Sequence, residues 1–235
     1  MLTLYLLLYL LHRLQPNMAD CAMPLQRPLQ NRVTPEGQII ANAARGTLMG
    51  NRGGAFHAED KTLGRRRWAS KQWICCRLEF KGRRREVMMP NRYTELFFLD
   101  EATALAAGHR PCFECRRQDA LWFATLWARV RQMEQRASAD AMDQVLQAER
   151  VGDGGVKPVW RAEAARLPSG SFVRIEGAPH LVLASGLLEW TPGGYLATRP
   201  RPETGQLEVL TPKSIVAVLS AGYCPSLHAS TEVVS

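Results

Sequence analysis

Cys112 and Cys115 lie three positions apart in the run AAGHRPCFECRR (106–117), between small residues and an arginine pair. A Cys-x-x-Cys turn presents two sulfurs on one side, and its backbone amides can point at them, so the motif supplies half of a tetrahedral zinc ligand set. The same spacing serves disulfide exchange, but that chemistry needs a strand entering the motif and a helix opening at its first cysteine. Here a helix signature ends at Gly108, before Cys112, which favours a metal knuckle. Further ligands are available from WICCR (73–77), which carries Cys75 and Cys76, and from His57 and His109. Neighbouring residues on a regular strand point to opposite faces, so Cys75 and Cys76 reach one ion together only across a bulge. The candidate set is Cys75, Cys76, Cys112 and Cys115, with one of the adjacent pair the firmer ligand and a histidine the alternative for the fourth place. The bland alternative is that Cys75 and Cys76 are ordinary buried thiols.

Arginine dominates the surroundings of these thiols. Between Arg45 and Arg85 twelve lysines or arginines face three acidic residues, clustered in GRRRW (64–68) and KGRRRE (81–86). Arg65, Arg66, Arg67, Arg77, Arg83, Arg84, Arg85, Arg116 and Arg117 are candidate phosphate contacts that would hold a nucleic acid without reading its bases. A solvated surface with a hairpin tip is the competing account of the same charges.

The elements that must position these groups can be read from pattern. QWICCRLEF (72–80) has the aromatic and branched residues of a strand, and EVMMP (86–90) is expected to return beside it across a Lys81-Gly82 turn. Asp100 is a helix cap, Glu101 lies in the first turn, and Gly108 stops an alanine-rich helix that delivers the chain to Cys112. From Arg116 to Arg150 the period is helical, with Leu121, Trp122, Leu126, Trp127 and Val130 on one stripe, a packing face. VGDGGVKP (151–158) reads as a linker. Short alternating strands follow, with turns at Glu176-Gly177, 191–194 and 202–205, then a helix capped at Thr211 and stopped at Gly222. GTLMGNRGG (46–54) is glycine-rich but lacks the Lys-Ser end of a nucleotide loop, so it is expected to be a surface turn. No paired-carboxylate or zinc-protease signature occurs.

The chain of 235 residues has a formal charge of +8 and a pI near 9.5, a balance that favours polyanionic partners. Six unevenly spaced cysteines are too few for a disulfide-built secreted scaffold, so a reducing, cytoplasmic setting is expected. The apolar run near the amino terminus is too short for a transmembrane helix, and no basic residue precedes it as in a signal peptide. It reads as an apolar extension or a misassigned start, and no membrane association is expected.

WICCR, followed by ELFFLDEATALAAGHRPCFECRR (95–117), resembles the amino-terminal metal-binding domain of the Ada family of DNA-repair methyltransferases. That family has an Ile-x-Cys-Arg segment, a Phe-Phe pair, an alanine-rich helix and Gly-x-Arg-Pro-Cys-x-x-Cys-Arg. The resemblance covers residues 73–117 and implies that Cys76, Cys112 and Cys115 are zinc ligands. The family's fourth cysteine falls at Phe80, which cannot ligate. The resemblance also implies that Cys76 corresponds to the thiolate that accepts a methyl group from a DNA phosphotriester. Zinc knuckles attached to bacterial nucleases share the same ending.

The expected fold is α+β: an extension over 1–30, a basic zinc-knuckle module with a β-hairpin and short helices over 31–118, a helical segment over 119–150, and a small antiparallel β domain with a short helix over 151–235. The expected function is structural zinc binding joined to nucleic-acid binding, with DNA in a repair or processing context. The alternatives are an enzyme, either a Cys76 alkyl acceptor or a nuclease-associated protein, and a metal-free module that binds protein or RNA.

Overall fold

A computed structural model describes residues 27–83 and 86–233. The apolar amino-terminal run, Cys21, Arg84 and Arg85 lie outside the described residues. The fold is α+β, with two six-stranded sheets and five α-helices among the described residues. No helix among them is long and apolar enough to cross a membrane.

The first sheet has the order β2-β1-β5-β3-β4-β6, formed by β1 (Gln30–Val33), β2 (Ile39–Ala41), β3 (Leu48–Arg52), β4 (Trp73–Arg77), β5 (Leu96–Phe98) and β6 (Arg110–Pro111). WICCR is a strand as expected, but its antiparallel partner is β3 rather than residues 86–90. The glycine-rich segment expected to be a surface turn is therefore an inner strand. Gly50 explains the disguise: opposite Cys75, a Cβ there would fall 2.1 Å from the Ile74 carbonyl oxygen and 2.8 Å from the Phe98 ring, so close backbone approach excludes a side chain. On the other edge β6 runs parallel to β4, pairing Ile74 with Arg110 and Cys75 with Pro111. The Cys112 amide extends this ladder to the Cys75 carbonyl at 3.0 Å.

Helix α1 (Glu101–Ala106) begins at Asp100, whose side chain accepts from the Thr103 amide, and ends before Gly108 at φ +85°. Both signals act as the sequence indicates. Every α1 side chain is buried, which is why alanine dominates it. Ala104 packs on the first sheet, Ala102 and Ala106 on the second, and Leu105 among the helices.

The stretch expected to be one helical run is two helices, α2 (Arg117–Val130) and α3 (Ala139–Arg150), the second capped by Ser138. Gln132 at φ +53° lies in the break. Leu126 and Trp127 are buried as the stripe requires, but Trp122 and Val130 are exposed and Phe123 takes the core position. The second sheet is antiparallel throughout, in the order β11-β10-β9-β8-β12-β7: β7 (Trp160–Glu163), β8 (Phe172–Ile175), β9 (Ala178–Val182), β10 (Leu187–Thr191), β11 (Gly194–Arg199) and β12 (Gln206–Val209). Glu176 and Gly177, both at positive φ, make the two-residue β8–β9 turn. Helix α4 (Lys213–Ser220) follows, and the Thr211 hydroxyl accepts from the Phe172 amide instead of capping it. A last short helix, α5, spans Ser230–Val233.

The glycine-rich stretch 151–158 is bound tightly. The Lys157 ammonium donates to the carbonyls of Pro35, Ala106 and Leu210, joining the β1–β2 turn, α1 and the end of β12.

Candidate metal centre

Strand alternation settles which of the adjacent cysteines turns toward Cys112 and Cys115. Cys76 and Ile74 point to one face of β4, and Trp73 and Cys75 to the other, with no bulge in the β3–β4 register. Because β6 continues beside β4, Cys112 emerges next to Cys76, and the turn 113–116 brings Cys115 back to both. The Sγ atoms of Cys76, Cys112 and Cys115 lie within 4.8 Å of one another. Sulfurs bonded to one zinc at about 2.3 Å must stand no farther apart than twice that bond, so small movements close the set.

The backbone already treats Cys112 as an anion. The Glu114 amide donates to its Sγ at 3.4 Å, and the Cys115 amide and both neighbouring thiols also point protons at it. Donation by the Cys115 and Cys76 thiols, more than any other influence, draws the Cys112 thiol far below its usual range. The cost falls on its neighbours: Cys76 is pushed far up by donating to Cys112 and Cys115, and Cys115 is pushed up by donating to Cys112. The Arg77 amide aims at Cys115, offsetting part of that rise. Three sulfurs this close could hold a metal ion, to which they would bind as thiolates.

Cys75, included in the sequence-derived ligand set, lies outside the cluster. Its sulfur is fully buried on the opposite face and accepts from Arg116 Nη1 at 3.6 Å, while burial pushes the thiol up. Neither histidine supplies the fourth ligand. His57 bonds Thr94 Oγ1 at 2.8 Å and the Met89 carbonyl at 3.2 Å. His109 is wholly buried, its Nε2 accepting from Arg52 Nε at 3.3 Å, and burial followed by the nearby Arg52 holds it well below the usual histidine range. The fourth side of the cluster instead opens into a cleft of about 570 Å³ lined by Ile74, Arg77, Phe80, Arg83, Tyr93 and Phe97 among others. Phe80, standing where the resemblance places a cysteine, is part of that wall, with Lys81 Nζ 5.1 Å and the Arg83 guanidinium 5.7 Å from its ring centre.

The disulfide-exchange alternative fits this geometry less well. A two-residue strand does precede Cys112, but α2 opens only after Cys115, and a third thiol belongs to the group.

The candidate phosphate contacts divide. Arg77 and Arg83 line the cleft, Arg83 paired with Glu114 at 2.9 Å across exposed surface. Arg65, Arg66 and Arg117 are exposed, and Arg67 lines a second hollow. Arg116 is a correction: it is buried, pairs with Glu101 at 2.8 Å and Asp119 at 2.8 Å, and reaches Cys75. It braces the back of the site and faces no phosphate. The arginine of the Gly-x-Arg-Pro-Cys run has a like role, since Arg110 forms a two-point bond with buried Asp143 at 3.1 and 2.7 Å.

Comparison of the chain with known protein families, curated proteins and solved structures finds no match.

Proposed function

We propose that this protein binds zinc through Cys76, Cys112 and Cys115 and engages nucleic acid, with DNA in a repair or processing role, from the cytoplasm. The observation that carries the reading is the meeting of three sulfurs within 4.8 Å, drawn from a strand and a turn separated by more than thirty residues. The ion would tie β4 to the turn before α2, and would keep the Cys76 sulfur deprotonated. Arg65, Arg66, Arg77, Arg83 and Arg117 supply the electrostatic contact, and the net charge of +8 agrees with it. Native mass spectrometry of freshly purified protein should find one zinc per chain, lost in Cys112→Ser. Duplex affinity should fall by orders of magnitude between low and moderate salt. A metal-free folded chain, or salt-independent duplex binding, overturns the respective half of the proposal.

The cleft at Cys76 favours a second reading, in which this sulfur accepts an alkyl group. The sulfur attacks a methyl carbon of a phosphotriester, the carbon–oxygen bond breaks, and the phosphodiester anion leaves. Arg77 and Arg83 stand in the same cleft to receive that anion. Intact mass after incubation with methylated DNA tests it: an added methyl that is absent in Cys76→Ser supports it, and an unchanged mass removes it.

A further inference from the structure

On the other face of the first sheet lies a hollow of about 380 Å³ that shares no lining residue with the cysteine cleft. Arg52, Arg67, Arg150 and Lys157 line it, and none of them forms an ion pair with a carboxylate among the described residues. Arg174 on the same wall is already paired with Glu208, and Glu36 is the acidic side chain that faces the others.

Two of these cations are core residues. Arg52 and Arg150 are each 2% exposed. Arg52 donates to the Gly37 carbonyl at 2.9 Å and to His109, and Arg150 donates to the Gly108 carbonyl at 2.7 Å and to that of Lys71. These dipoles solvate the guanidiniums without cancelling their charge. Buried charge is ordinarily paired, because desolvation is costly. Burial, joined by repulsion from Arg150 and Arg67, lowers Arg52 to about 9; burial lowers Arg150 to about 9 against the pull of Asp143, and Lys157 to about 7 against the pull of Glu36. Asp143 is already held by Arg110, so four cations against Glu36 leave the hollow with surplus positive charge, and the partner it lacks is an anion.

Aromatic surface accompanies the charge. Both guanidiniums lie on Trp73, 3.9 and 4.4 Å from its ring centre, and half-buried Trp68 forms a wall 6.1 Å from Trp73, centre to centre. Guanidiniums match the geometry of phosphate oxygens, and a tryptophan face stacks any base. The volume lies in the range of small-molecule sites.

We propose that this hollow binds the phosphate group of a nucleotide, the anion held over Arg52, Arg67 and Arg150 and the base against Trp68. Lys157 contributes its field alone, since three carbonyls occupy its hydrogens. The nucleotide can be free or can be the phosphorylated end of a strand.

Isothermal titration calorimetry of the full chain with AMP, adenosine, inorganic phosphate, and a short single strand with or without a 5′-phosphate tests the site. AMP should bind at least about 10-fold more tightly than adenosine. Trp68→Ala should weaken AMP by roughly 10-fold, the scale of one lost stacking contact, and leave inorganic phosphate unchanged. Arg67→Ala should weaken both. A strand that binds only when phosphorylated assigns the site to strand ends, and a strand excluded while AMP binds assigns it to free nucleotide. Adenosine binding as tightly as AMP, no saturable AMP binding at millimolar concentration, or AMP affinity unchanged in both variants overturns the proposal. The AMP–adenosine comparison uses the unmodified protein, so it stands even if a variant misfolds. Duplex binding without AMP binding sinks this site alone, and AMP binding without duplex binding sinks only the nucleic-acid reading above.

Discussion

The two faces of strand β4 carry two different chemistries. One presents Ile74 and Cys76 to a cleft where thiols converge; the other presents Trp73 and Cys75 to a core whose edge gathers unpaired guanidiniums. The thiol side brings together three sulfurs that could hold a cation, and offers no fourth ligand among the described residues. The arginine side is short of negative charge and gains by taking an anion. Adjacent cysteines thus have unlike fates for one reason, the two-residue repeat of a strand.

The sharpest way to break this contrast is to remove each sulfur in turn. Cys76→Ser and Cys112→Ser should each reduce bound zinc from one ion to none, with a large fall in melting temperature, while Cys75→Ser retains the ion in native mass spectra. Zinc lost in Cys75→Ser and kept in Cys76→Ser would reverse the two faces. Next in size is Arg116→Met, which removes the cation paired with buried Glu101, leaving its charge to neutral donors, and should cost about 3–5 kcal/mol in urea unfolding. The salt dependence of duplex binding should stay as it was. Unchanged stability with a weaker salt dependence would return Arg116 to the phosphate contacts.

A smaller effect, about 1–3 kcal/mol, is expected for Gly108→Ala, because the new side chain would occupy left-handed backbone. Its Cβ would also sit 2.8 Å from Arg150 Cβ and Cδ. Thermal melting measures the loss, and AMP affinity should fall with it, since Arg150 must move. The subtlest test concerns Lys157, lowered by burial from 10.5 to about 7. Between those values the unfolded chain holds a proton that the folded chain has released, so this group makes stability rise with pH from about 7 to 10. Below 7 both states are protonated and its contribution is flat. Melting temperatures of the parent and of Lys157→Met across that range should diverge, the parent gaining more; parallel curves would show that burial does not lower this ammonium and that its three carbonyls keep it charged.

The cysteine side was the more legible of the two because its information is local. Cys-x-x-Cys, the Asp100 cap, the Gly108 stop and the opposite facing of Cys75 and Cys76 each need only a few consecutive residues to be read. The partner strand was not legible: Leu48–Arg52 carries Gly50 and Asn51, poor strand formers, and Gly50 is there because the neighbouring chain leaves no room for anything larger. Arg116 was misjudged for a related reason, since its neighbour Arg117 is exposed and a sequence does not show which of two adjacent arginines finds a buried glutamate. The α2 stripe was misjudged by one position, placing Trp122 inside where Phe123 belongs. Of the arginine hollow only Arg67 belongs to a cluster that the sequence marks, because Arg52, Arg150 and Lys157 come from segments that only the tertiary fold brings together.

Helix α1 has a consequence for the order of events during synthesis. The two acidic residues at its start are satisfied by distant groups: Asp100 by the Tyr195 hydroxyl and the His228 amide, Glu101 by the Tyr223 hydroxyl and the Ser226 amide. Until those residues have left the ribosome, Asp100 has only Thr103, and Glu101 only Arg116, of the partners they hold in the folded chain. Loops of this length close late. The three thiols that converge beside β4 are thus made well before Tyr195, Tyr223, Ser226 and His228, which complete the setting of the helix that leads to them.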